Sequence, residues 1–135
     1  LINEYVTLAF KIKEQTMRKM IFTLVLGVAG LAQAQGKAEV PGGFVGTWKA
    51  SLQYCRSHDD DSILKITRRE LHYFEAGGAV VKVSGKGPHD TTLQVRMQDE
   101  TGAAYPLSVR LSLSADGKRL TEHTAMGDTV RYRCP

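Results

Sequence analysis

The sequence predicts an all-β domain, a small antiparallel up-and-down barrel of about eight strands, and three observations carry that prediction. In residues 105–113, Leu107, Val109, Leu111 and Leu113 alternate with Ser108, Arg110 and Ser112. A period of two puts the apolar side chains on one face and the polar ones on the other. Turn residues recur at intervals of roughly 8 to 12 residues, the spacing of hairpins in sandwiches and barrels. From Val40 onward no segment carries the 3.6-residue period of an amphipathic helix. Connections of hairpin length throughout favour a meander that closes on itself, with a β-sandwich as the alternative.

Taken in order, residues 35–43, with Val40-Pro41-Gly42-Gly43, form a flexible entry to a β domain over residues 44–135. Strands are expected over residues 44–53, 62–67, 70–75, 79–84, 91–98, 105–113, 119–125 and 129–134. They are punctuated by Gly77-Gly78, by the glycines and proline of residues 85–88, by Thr101-Gly102 and by Gly127-Asp128. The best-defined hairpin joins the sixth and seventh strands, where Asp116-Gly117 supplies the positive φ of a tight turn. Trp48, Leu107, Val109, Leu111 and Val130 are assigned to the core. With Leu93, Val95 and Met97 they decide whether the barrel is filled or hollow.

Residues 17–34 read as a cleavable secretory signal. Arg18 and Lys19 follow Met17, residues 21–31 are uncharged, and Ala32-Gln33-Ala34 offers small residues at the cleavage point. A membrane span needs about 20 apolar residues, nearly twice this run. Cleavage after Ala34 would leave Gln35 first, and no cysteine follows in residues 35–40 to take a lipid. The expected product is soluble, periplasmic or secreted, with no membrane insertion after processing. Residues 1–16 read as an upstream translation artefact and are left out of the fold.

The chain has a formal charge of +4. Removing the four basic and two acidic residues before Ala34 leaves 14 Lys and Arg against 12 Asp and Glu, interspersed along the domain. No basic stripe suited to nucleic acid results. Cys55 and Cys134 are the only cysteines, and an oxidising compartment makes their pairing the expected staple. The topology raises a difficulty. In an even-stranded antiparallel meander the last strand ends beside the start of the first, which places Cys134 near Phe44 rather than Cys55. The first strand must bend, residues 56–61 must fold back, or the strand number must be odd.

Gly46-Thr47-Trp48 resembles the G-x-W motif that opens the first strand in lipocalins and related calycin barrels. The resemblance implies a tryptophan packed across the closed end of the barrel against an arginine of the last strand, for which Arg131 and Arg133 are the candidates. It also implies a ligand held in the barrel mouth.

Other polar clusters have simpler explanations. His58-Asp59-Asp60-Asp61 lacks the spacing of a calcium loop, so a solvated turn is expected. His58, His72, His89 and His123 lack the short spacings that pre-form a zinc site. His72 and His123 fall on outward parities. Arg68-Arg69 reads as a charged turn. No G-x-S-x-G elbow presents a serine nucleophile. The expectation is a non-enzymatic binding module for an apolar small ligand, with no cofactor or metal and with its ligand-binding residues unassigned. The alternative is a protein-interaction domain, such as an inhibitor of a secreted or host hydrolase. An apolar opening of about 300 Å³ or more would favour the first.

Overall fold

The structure is a computed structural model that describes residues 36–85 and 87–135. The signal segment over residues 17–34 and the stretch over residues 1–16 lie outside the described residues. Eight antiparallel strands close in chain order into a barrel. They are β1 (Gly46–Lys49), β2 (Leu64–Ile66), β3 (Glu70–Tyr73), β4 (Ala76–Ser84), β5 (Asp90–Asp99), β6 (Ala104–Leu113), β7 (Arg119–Thr124) and β8 (Gly127–Arg133). The last strand pairs with the first through Trp48 opposite Arg133 and Lys49 opposite Tyr132. Closure removes the free edges that open sheets would have to protect.

Alternation organises the wall. In β5, Thr91, Leu93, Val95 and Met97 are all buried, and in β6 Val109, Leu111 and Leu113 face them. Trp48, Leu64, Ile66, Leu71, Val80 and Leu120 complete the interior. An eight-stranded barrel is just wide enough for side chains to fill. Val130 corrects the core expected from sequence: it is 42 % exposed. Its partner across the ladder is Thr121, and the next pair is Leu120 with Arg131. Directly opposed residues share a face, so buried Leu120 turns Arg131 inward and Val130 outward.

One other expectation is adjusted. Gly77 and Gly78, expected to break the chain, lie inside β4, which begins three residues before the strand expected over residues 79–84. A Cβ on Gly78 would sit 2.0 Å from the Arg96 carbonyl oxygen of β5, so only glycine permits that backbone approach. A bulge between Val80 and Lys82 interrupts the register with β5 and leaves Val81 exposed. The entry segment is tied down: Val40 N–H donates to the Arg68 carbonyl, Glu39 pairs with Arg68 and Arg69, and Phe44 is fully buried at the end of the 3-10 helix Gly42–Phe44. Gly117 carries the positive φ (69°) foreseen for the β6–β7 turn.

The disulfide between Cys55 and Cys134 forms with an even number of strands. β1 stops at Lys49, well short of the strand over residues 44–53, and the chain enters the 3-10 helix Leu52–Arg56. Lys49, itself buried, donates through Nζ to the carbonyls of Tyr54 and Ser57 at 2.9 and 2.6 Å. Those bonds hold the helix beside β1. Cys134 donates its N–H to the Thr47 carbonyl, so the end of β8 and the returning helix meet at one place. The segment after β1 does fold back, starting before residue 56.

Candidate functional site

The two ends of the barrel differ. At one end Trp48 is fully buried, its indole N–H donates to the Phe44 carbonyl at 3.0 Å, and the Arg133 guanidinium lies 4.2 Å from the ring centroid. Arg133 also donates to the carbonyls of Gly117, Val45 and Gly43. An arginine stacked on a tryptophan, its donors spent on three carbonyls of two chain segments, makes a firm plug.

The opposite end opens. Tyr73 at the end of β3, the following turn residues Phe74 and Glu75, residues 105–108 of β6 and the β7–β8 turn at Ala125 and Met126 surround a cleft of about 850 Å³. Its walls are mainly apolar, and large side chains stand on its rim: Phe74 is 53 % exposed, Tyr105 42 % and Met126 99 %. Nothing in their local sequence demands this. Folding places them there because strand ends and turns at one end of a meander necessarily meet.

Beneath the rim lies a polar group. Tyr73 donates its hydroxyl to Glu122 Oε1 at 2.5 Å, and Arg131 pairs with Glu122 Oε2. Arg131 also donates through Nε to the Ser62 carbonyl at 3.0 Å and lies 5.8 Å from the Tyr73 ring centroid. A carboxylate as enclosed as Glu122 is costly without a partner, and here each of its oxygens has one. Burial, then the charge and hydrogen bond of Glu122, push the Tyr73 hydroxyl well above the ordinary tyrosine range. It therefore remains a proton donor across the physiological pH range.

The residues singled out in the sequence divide between the two ends. Trp48, Val109 and Leu111 belong to the filled interior, with Leu93, Val95 and Met97. Leu107 is half-buried and lines the cleft. Of the two candidate arginines, Arg133 meets the tryptophan and Arg131 serves the mouth. The barrel is thus filled towards its plugged end and open above Leu107.

The polar clusters are dispersed. Asp60 is occupied by Ser62 and by Lys49 at 3.9 Å, and His72 lies 2.9 Å from Glu70 on the outer face. On another outer face Ser112 Oγ lies 3.1 Å from His123 Nε2, and His123 Nδ1 lies 2.8 Å from Asp128. This row has the order of a hydrolytic triad, but Ser112 Oγ is also 3.3 Å from Asp90, which Arg110 holds with Nε and Nη2. None of Ser112, His123 and Asp128 lines the cleft. Tyr73 and Glu122 were not recognisable from sequence. Their one signal is a glutamate on the inward parity of an otherwise alternating strand, which demands a buried partner.

No protein-family model, no curated protein and no solved structure matches the chain. Among the described residues, no helix is long and apolar enough to cross a membrane.

Proposed function

We propose that the protein is an exported binding module that holds a small, largely apolar ligand in the open mouth of its barrel. The observation that carries the reading is the cleft of about 850 Å³ over Leu107, rimmed by Phe74, Tyr105 and Met126. Its size falls within the range of sites for small organic molecules. Exposed aromatic and methionine side chains supply adaptable apolar contact area. The fixed Tyr73, Glu122 and Arg131 group beneath them gives such a ligand a polar surface to orient against. The plug of Trp48 and Arg133 at the other end accords with the lipocalin-like reading of Gly46-Thr47-Trp48. Export is supported by the signal pattern of residues 17–34 and by the disulfide.

Titration with the neutral fluorophore N-phenyl-1-naphthylamine tests the mouth. Saturable enhancement at one site per chain, with micromolar affinity, is expected. Leu107→Arg, which puts a charged chain across the cleft, and Tyr105→Ser, at an exposed position that folding does not depend on, should each weaken it at least about tenfold, the equivalent of about 1.4 kcal/mol. Enhancement that is absent, or unchanged in both variants, would sink the proposal. Intact-mass analysis of the product made from the full chain is expected to begin at Gln35 and to be two hydrogens lighter than the reduced form. A mass retaining residues 17–34 would overturn export.

A further inference from the structure

Resting on the reading of the mouth as a ligand site, we infer that its preferred occupant is an amphipathic cation, an apolar body carrying an ammonium or similar group. The charged side chains that line the cleft are Asp61, Glu75 and Glu122, and all three are acidic. They do not stand alike. Glu122 is already neutralised by Arg131 below the floor. Asp61 and Glu75 are exposed, and among the described residues neither takes part in an ion pair. The basic group nearest the floor is therefore spent, and the two free charges at the entrance are negative.

The other wall groups point the same way. Phe74 and Tyr105 offer aromatic faces at the rim, and an aromatic face attracts a cation more strongly as water is excluded. An anionic head would meet two carboxylates and, among the described residues that line the cleft, no positive side chain. Burying the apolar body along Leu107, Ala125 and Met126 while the cationic head stays at the entrance leaves that head hydrated and near both carboxylates. Such a ligand needs no rearrangement of the Tyr73, Glu122 and Arg131 group. Charge of the same sign stands at this end of the barrel in Asp99 at the end of β5, Glu100 in the β5–β6 turn and Asp128 near the start of β8. Hydrogen bonds from Thr101, together with backbone N–H groups of its own turn, hold the Asp99 carboxyl below the usual carboxylate range.

Isothermal titration with three probes of one chain length separates this inference from the reading beneath it. Decyltrimethylammonium, decyl maltoside and decyl sulfate are each used below their micelle concentration. The cation is expected to bind about tenfold more tightly than the neutral probe in dilute buffer, and the anion more weakly than either. The advantage of the cation should shrink as salt is raised, because the rim charges are exposed. In the double variant Asp61→Asn, Glu75→Gln, the cation should fall to the affinity of the neutral probe, whose own binding is unchanged. Equal affinity for all three probes, or preference for the sulfate, would overturn the cation preference while leaving the mouth as a site. Binding of none of them would overturn both.

Discussion

Replacing Cys55 and Cys134 together with alanine is expected to lower stability by about 4 to 5 kcal/mol. The bridge spans 79 residues of chain, and in the chain-entropy account the restriction of so long a loop in the unfolded state has that magnitude. For a domain of this size the loss corresponds to a fall in melting temperature of about 20 °C or more. It is a large share of the 5 to 15 kcal/mol typical of folded domains. Urea denaturation of the oxidised protein, the reduced protein and the double variant measures it, and the last two should coincide. Overlap of all three curves would show that the returning helix Leu52–Arg56 is held by Lys49 and packing alone.

Trp48→Ala should cost about 3 to 5 kcal/mol, the range for emptying a large aromatic site in a core. Trp48 is fully buried. The substitution also strands the Phe44 carbonyl and removes the surface under Arg133. Trp48→Phe keeps most of the volume but not the N–H, so it should cost less. A double-mutant cycle with Arg133→Met should return a coupling of about 0.5 to 2 kcal/mol, the worth of a guanidinium on an aromatic face. The midpoint of denaturation should move without a change in slope. A coupling of zero would mean that Arg133 acts only through its bonds to Gly117, Val45 and Gly43.

Much of the barrel was legible because its signals are local. Alternation in β5 and β6 and the Asp116-Gly117 turn require only neighbouring residues, and those elements appear where expected. The misreadings share a cause: each depended on what lies opposite. Gly77-Gly78 looks like a turn until the closeness of Arg96 explains the missing side chains. Val130 looks like a core residue until pairing with β7 sets its parity. The short β1 depends on Lys49 finding carbonyls five and eight residues further on.

The mouth was illegible for the same reason on a larger scale. Tyr73 and Glu122 are 49 positions apart. Phe74 and Met126 come from two different turns and Tyr105 from the start of β6, and no spacing marks them as neighbours. Arg131 and Arg133 were both candidates for the arginine that the resemblance sets against the tryptophan, and only the β7–β8 register assigns Arg131 to Glu122 rather than to Trp48.

The position of the disulfide has a topological consequence. Cys55 follows β1 and Cys134 follows β8, so seven of the eight strands, β2 to β8, belong to a single covalent ring, and β1 alone hangs from it as a tail. A protease that cuts any one turn within that ring opens it without releasing a fragment. The severed ends remain tethered through the sulfur bridge and held by the strands on either side. The mouth, built inside the ring, can thus be nicked once and still belong to one molecule, while a cut between Lys49 and Cys55 severs the covalent link of β1 and its Trp48 and leaves Arg133 on the ring.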